Sequence, residues 1–520
     1  MTNPFYQTGG LKPHKSLFDL SYEKKMTADM GLLYPILCDE MVPGDIFKFG
    51  NQSVIRFQPL VAPVLHEVQV VCHYYFVPYR ILWEQWEEFI SGWSKEDSTQ
   101  EFLDPIPVWI PQSPAEMSKG TLWDYLGFPT YQGGMQGPGP GSFNQDFAPI
   151  DMPRRAYNMI WNEYYRDQNL QPKVALDNWS LLRTAWEKDY FTSALPFQQK
   201  GISPSFPISG STSAVFSSDI GYSNVNLAAN SRIMLNNSDT PNTFNLLSIN
   251  PSGNVEAQKF KTYLDKNNIS FDDATTFDIN DLRLAVQLQK WQERSARGGV
   301  RYTELLRSHH GVSPRDDRLQ RPEYCGGSKH NVIFSEVLQT SETASSPQGN
   351  MAGHGLSVNS GYCGKYYATE YGLLMGIMKV VPRPAYQQGI NRQWLRRTKE
   401  DFFWPEFVNL SEQAVERGEL YVSGSPITNR DIFGYQGRYD EMRYKPNQVC
   451  ADMRDIFNYW HLGRVFTDPP NLNSTFIECN PRKDIFAVQD EPGLIISFAN
   501  LIRAYRPIPR IGEPGLLDHH

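Results

Sequence analysis

Cysteine is scarce in this chain. Its six cysteines, Cys38, Cys72, Cys325, Cys363, Cys450 and Cys479, stand far apart with no CxxC pair. That excludes a zinc site of ordinary spacing. It suits a reducing compartment, where lone thiols act as small apolar groups. Long apolar runs are lacking too. The longest, YGLLMGIMKVV at 371–381, contains Lys379 and is too short to span a bilayer, so it reads as a buried strand. The N-terminal stretch MTNPFYQTGGLKPHKS has no apolar core of a secretory leader. The expected product is soluble and made in a cytoplasm, with no membrane partner. Basic charge is not in excess: 49 Lys and Arg face 57 Asp and Glu, a net charge of −8. Such a chain does not coat nucleic acid by bulk charge, although a basic patch on one face stays open. No G-x-S-x-G elbow, Walker loop or HExxH is present, and the ten histidines form no recognisable triad. Nothing calls for a metal or a cofactor.

Turn-formers and rings are plentiful. The chain holds 38 glycines and 37 prolines, and 13% of its 520 residues are aromatic. This composition suggests short strands joined by long, shaped loops, with rings available for wide interfaces. HEVQVVCHYYFVP (66–78) alternates, with Val68, Val70, Cys72, Tyr74 and Phe76 on one face and Glu67, Gln69 and His73 on the other. Helical spacing follows at 79–92 and 154–169, and again at 277–299, where Asp278 is the expected N-cap and Gly298–Gly299 the stop. The Pro/Gly-dense segment 103–153 is a long connection, because its GGMQGPGPG lacks the Lys-Ser/Thr of a phosphate loop. Between Gly201 and Val255 only Asp219, Arg232 and Asp239 carry charge, while Ser, Asn, Gly and Thr dominate. Recurrent Val, Ile, Leu and Phe make this an inserted subdomain of short strands rather than a linker. No fixed-period repeat appears. The pattern predicts a mainly β chain, a sandwich or jelly roll with very large loop insertions containing short helices.

Two charged stretches are the candidate sites. RYTELLRSHHGVSPRDDRLQRPEY (301–324) carries Arg301, Arg307, Arg315, Arg318 and Arg321 among Glu304, Asp316, Asp317 and Glu323. Adjacent pairs such as His309–His310 and Asp316–Asp317 do not readily share a metal, since extended neighbours point opposite ways. Arginine forks bind carboxylates and carbonyls in fixed geometry, so a locking role for loops and neighbouring subunits is favoured over chemistry. INRQWLRRTKEDFFWPEF (390–407) sets Arg392, Arg396, Arg397 and Lys399 beside Trp394, Phe402, Phe403 and Trp404. Bases stack on rings and cations neutralise phosphates, so this cluster is the candidate nucleic-acid-facing site. The bland alternative, rings in a core and arginines on a neighbour's carboxylates, is weighed as the stronger of the two.

Taken together, FDLSYEKKMT (18–27), DEMVPGDIF (39–47), YYFVPYRILWEQW (74–86), ERSARGGVRYTELLRSHHGVSPRDDRLQRPEYCGG (293–327), YQQGINRQWLRRTKEDFFWPE (386–406), IFGYQGRYDEMRYKPN (432–447) and RPIPRIGEPGLLDHH (506–520) resemble the major capsid proteins of microviruses, most of all the gokushovirus-like group. The resemblance is weak at 201–275 and in the Pro/Gly loop before Pro153. It implies a viral jelly roll, an eight-stranded β-sandwich, as one domain over 1–520. It further implies a 60-copy, T=1 icosahedral homo-oligomer around circular single-stranded DNA. The implied partners are a small basic packaging protein, a DNA pilot protein and a host-cell surface receptor. The 201–275 insertion would form a protrusion at the threefold axes, and assembly would occur in the bacterial cytoplasm. A structural protein and not an enzyme is thus expected. The rival readings are a carbohydrate-active β-sandwich enzyme or lectin, and a single-stranded DNA-binding protein that works as an isolated chain.

Overall fold

The computed structural model describes residues 14–94, 100–131, 139–203, 279–299, 301–338, 351–410 and 412–511, with the backbone of four short strands between 210 and 271. Ten strands form one curled antiparallel sheet. They are β1 (Ser16–Asp19), β2 (Tyr22–Ala28), β3 (Tyr34–Met41), β4 (Ile46–Phe57), β5 (Val68–Pro78), β6 (Glu323–Asn331), β7 (Ile333–Leu338), β8 (Met351–Tyr367), β9 (Gly372–Pro382) and β10 (Leu494–Arg506). Eight lie on one path, β1–β10–β4–β8–β6–β5–β9–β3, while β2 pairs with β10 and β7 with β8. The sheet folds over on itself where β8 meets β6, at the single register position Gly326↔Gly364. Both strands carry an irregularity there, between Tyr324 and Gly326 and between Tyr362 and Gly364. A side chain at either glycine would strike backbone: a Cβ on Gly326 would lie 2.2 Å from the Cys363 carbonyl oxygen, and one on Gly364 2.4 Å from that of Cys325. Only glycine permits this approach. The result is the expected jelly-roll sandwich.

Two half-sheets face each other across the main core. Phe47, Phe49, Ile55 and Phe57 of β4, with Ile496, Phe498 and Ile502 of β10, meet Val70, Cys72, Tyr74 and Phe76 of β5 and Leu374, Met378 and Val380 of β9. Rings cross between the halves, with Phe49 and Tyr74 centred 4.9 Å apart and Phe76 and Tyr366 4.6 Å apart. This face of β5 is the one the alternation at 66–78 selects. The opposite face differs from expectation, for Val71, Tyr75 and Val77 are buried as well. For Tyr75 and Val77 the reason is a second layer built from 79–183. Leu82, Trp86, Trp109, Trp123, Tyr157, Ile160 and Trp161 pack on Tyr75, Val77, Leu373, Met375 and Ile377 in a separate core. Polar groups of that layer are satisfied locally. The Tyr157 hydroxyl donates to the Leu33 carbonyl (2.9 Å), and Asp151, almost wholly buried, binds Arg154 at 2.6 Å and Arg155 at 2.8 Å.

The helices of this layer are more broken than their spacing suggests. The 79–92 pattern yields two short pieces, Tyr79–Leu82 and Trp86–Ser91, closed by left-handed Gly92 at φ 78°. The 154–169 pattern yields α1 (Met152–Ile160), which runs on as a π-helical turn over Trp161–Tyr165 and stops at Arg166. A wide turn of this kind re-aims the last side chains. Residues 383–493 add a loop-rich lobe around Tyr190, Phe191, Tyr386, Val415, Phe433, Phe476 and Ile477.

Residues Gln199–Ser295 form a separate compact unit. Its described strands pair antiparallel, Gly210–Ser213 with Asn268–Phe271 and Arg232–Asn236 with Phe244–Ser248. Helix α2 (Ile279–Gly298) begins in it and ends at Gly299, φ +93°. The expected cap, Asp278, lies outside the described residues. Among the described residues no helix is long and apolar enough to cross a membrane.

Candidate assembly and nucleic-acid surfaces

The 301–324 stretch folds as helix α3 (Tyr302–His310), a stop at left-handed Gly311, a 3-10 turn over Asp316–Leu319, and the entry to β6. Glu304 accepts the Arg301 backbone N–H at 3.2 Å, which closes the first turn. The Arg301 guanidinium donates to the carbonyls of Asn162 (3.3 Å) and Arg166 (3.2 Å), so it caps the π-helical turn of the covering layer. Asp316 is a hub. It accepts Arg321 Nε at 2.8 Å and Nη2 at 2.6 Å and the Tyr324 N–H at 3.4 Å, while the Tyr164 hydroxyl beside it donates to the Pro322 carbonyl at 2.5 Å. The Arg321 guanidinium also lies 5.5 Å from the Tyr164 ring centre. Asp317 pairs with Arg315 at 2.8 Å on the surface, and Arg307 and Arg318 are exposed. The structure therefore sets Arg301 on the π-helical turn, pairs Asp316 with Arg321 within the chain, and leaves Arg307, Arg315 and Arg318 outward. His309 and His310 end a helix, and no group of His, Cys, Asp and Glu among the described residues is placed to hold a metal ion.

The 390–407 stretch divides in the same way. Arg392 reaches Glu419 at 3.1 Å and Glu416 at 3.4 Å, and Arg396 reaches Glu441 at 3.1 Å. Both guanidinium groups are largely buried, as are Glu419 and Glu441. Burial pushes the Glu419 carboxyl up to about 7, against the pull of Arg392. The Tyr190 hydroxyl donates to Glu419 at 3.0 Å, and Gln413 donates to Glu441 at 2.7 Å. A cavity of about 260 Å³ opens beside them, lined by Arg392, Trp394, Glu419, Glu441, Tyr444 and Arg454 among others. Arg397 donates to the Trp394 and Arg396 carbonyls, and Lys399 sits 3.6 Å from Glu400 on the surface. Trp394, Phe402, Phe403 and Trp404 are exposed, Trp394 by 70%.

Sequence reasoning missed the acid partners Glu416, Glu419 and Glu441, which stand up to 45 residues from their arginines. A Glu-x-x-Glu beside a glycine at 416–419 was the only local hint. It missed as well the carbonyls that receive Arg301, since a backbone acceptor leaves no mark on side-chain pattern.

Jelly rolls serve capsids and lectins alike. Here the charged stretches tie loops together, and large apolar side chains such as Ile427 (81% exposed) and Ile333 (72%) are left for contact. These features suit a jelly roll whose outer surface is built for contact rather than chemistry. The chain belongs to the phage capsid protein (F protein) family, whose profile it matches over residues 8–516. It is 33% identical to capsid protein VP1 of Chlamydia phage 1, over 99% of this chain and 98% of that one. It is 34% identical to capsid protein VP1 of Bdellovibrio phage phiMH2K, over 98% and 97%. With capsid protein VP1 of Spiroplasma virus 4 the identity is 29%, over 97% and 94%. It is thus a microvirus capsid protein and a virion component, as its motifs implied.

Proposed function

We propose that this protein is the subunit of a T=1 icosahedral shell, 60 copies closed around circular single-stranded DNA. The observation that carries the reading is the kinship with capsid proteins over nearly the whole chain. The loop-rich envelope supports it. Each subunit of a closed shell needs contact surface on several sides, and exposed apolar side chains recur around the sandwich. Arg307, Arg315 and Arg318 then meet carboxylates of neighbouring copies, adding register more than affinity. Of the 390–407 cluster, Arg397, Lys399 and Trp394 are the members accessible to DNA, while Arg392 and Arg396 hold their loop on buried glutamates.

The Ser- and Asn-rich insertion 201–275 forms the threefold protrusion and meets the host-cell receptor. Its low charge and separate compactness favour that task. A small basic packaging protein and a DNA pilot protein share the interior, which suits a subunit of net charge −8. Assembly takes place in the bacterial cytoplasm, where the isolated cysteines stay reduced. The chain acts by geometry and turns over no substrate. Electron microscopy and sedimentation of the purified protein test this directly. Uniform closed particles are expected, and deletion of 205–255 should keep the particle while abolishing attachment to the host. A persistent small species that converts glycans would overturn the reading.

A further inference from the structure

Two surface stretches of the subunit carry opposite charge, and each mixes it with exposed apolar side chains. The first follows the turn Tyr79–Leu82 of the covering layer. Its described residues, 84–94 and 100–104, include Glu84, Glu87, Glu88, Glu101 and Asp104 and no Lys or Arg. The two arms are paired. The Ser94 N–H donates to the Gln100 carbonyl at 3.0 Å, and the Phe102 N–H to the Gly92 carbonyl at 3.1 Å. Trp93 and Glu101 sit opposite each other as antiparallel neighbours. Rings fix the base, with Trp83 centred 5.5 Å from Phe89 and 6.3 Å from Phe102. That packing leaves Ile90, Trp93 and Leu103 exposed, Leu103 by 80%. The result is a fixed finger that is apolar and acidic together.

The second stretch is α3 with the loop after it. From 305 to 315 it carries Arg307 and Arg315 and no Asp or Glu. The acids that follow are already taken, Asp316 by Arg321 at 2.6 Å and Asp317 by Arg315 at 2.8 Å. Arg307 and Arg318 are exposed and form no ion pair among the described residues. Tyr302 and Val312 of the same stretch are exposed as well. The two stretches adjoin. Arg80, at the root of the finger, donates to the Gln320 side chain and grips Glu370 with two bonds of 3.0 Å.

An apolar centre ringed by charge is the anatomy of a protein contact. Here the acidic rim and the basic rim complement each other, so the partner each calls for is another copy of the same chain. Their adjacency sets the symmetry. Complementary surfaces that adjoin on one subunit both find their counterparts when a copy is turned about a twofold axis. A ring contact would need them on opposite flanks instead. We propose that the 84–104 finger of one subunit docks on the 302–318 segment of a second copy, reciprocally, across a twofold axis. The proposal rests on the shell reading above and names the carboxylates that the outward arginines meet. Trp93 and Leu103 then pack near Val312, while Arg307 and Arg318 face Glu84 and Glu101. Nucleic acid on the arginines would leave the apolar, acidic finger without a role.

The test uses closed particles and full-length subunits. Glu84→Lys/Glu101→Lys and Arg307→Glu/Arg318→Glu should each leave the subunit folded and soluble. Each should lower the yield of closed particles at least about tenfold, because like charges then meet. The protein with all four changes should recover most of that yield, since every charge again faces its opposite. Full yield from either pair alone overturns the proposal, and so does a combined variant no better than the worse pair. A second readout is independent of charge and decides the matter if a reversed variant fails to fold. Leu103→Cys/Val312→Cys particles treated with a short bismaleimide should give a covalent dimer absent from the unaltered protein. No such dimer, or a ladder that climbs beyond the dimer, overturns the reciprocal contact. If the unaltered protein closes no particle, the shell reading fails by itself, while crosslinking of concentrated subunits still decides the contact.

Discussion

The two halves of the sandwich are built from similar strands and treated differently. The half containing β5 and β9 is buried on both faces, and its strands read as near-continuous apolar runs, VQVVCHYYFVP and GLLMGIMKVVP. The half containing β4 and β10 is buried on one face, and its strands alternate, as in IFKFGNQSVIRF. The contrast teaches that a sheet's outer face is a choice of the sequence. One half is dressed with a tryptophan-rich layer, and among the described residues the other is left bare with lysine, arginine and tyrosine. The dressed face is spent on stability, so the bare face is the one available for contact.

The sharpest way to break this comparison is a pair of aspartates at outer-face positions. Ile377→Asp places a charge under the covering layer, at a side chain 1% exposed. It should cost more than about 4 kcal/mol and prevent soluble folding. Ile495→Asp sits on the bare half, 49% exposed, and should move stability by no more than about 0.5 kcal/mol. Chemical denaturation of both proteins reads the difference; equal losses would erase the distinction between the halves.

A smaller effect concerns pH. Asp39, on the edge strand of the dressed half, has its carboxyl pushed up to about 6 by burial, which Arg506 only partly offsets. The folded state thus holds this proton more tightly than the unfolded chain does. That contribution is complete below about pH 4 and is lost as pH rises through 6, amounting to at most about 3 kcal/mol. Asp39→Asn should flatten the fall of stability between pH 4 and 6, measured by denaturant midpoints at fixed ionic strength. An unchanged slope would show that Asp39 is not the titrating group.

Smallest is the tether between the covering layer and the 311–322 loop. Asp316→Ala releases the Arg321 guanidinium that lies over the Tyr164 ring, while the Tyr164 hydroxyl keeps its bond to the Pro322 carbonyl. A loss of about 1–2 kcal/mol is expected, with faster hydrogen exchange confined to the loop and the end of α1. Exchange that stays unchanged there would mean that packing alone holds the layer.

Period-two alternation and turn residues made the jelly roll legible, and so did the apolar run at 371–381. The covering layer was not legible, because Tyr75 and Val77 interleave with the inner-face residues and only the fold shows what lies over them. The long helix expected at 79–92 failed for a related reason: its apolar residues serve a layer of short turns rather than one helical stripe. At 301–324 the alternation of arginine and acid was visible, but which members pair within the chain was not: Asp316 binds Arg321, while Arg307 and Arg318 stay exposed. The bare basic face was invisible for a stronger reason. Lys48, Lys365 and Arg503 are spread over three distant strands, each unremarkable alone, and only register sets them in a row.

One reconstruction of filled particles by electron cryomicroscopy tests the central claim most directly. The account predicts a closed shell built from copies of this subunit, each with its β5–β9 half-sheet under its own tryptophan-rich layer. An open lattice, or subunits whose β5–β9 half-sheet stands uncovered, would contradict it.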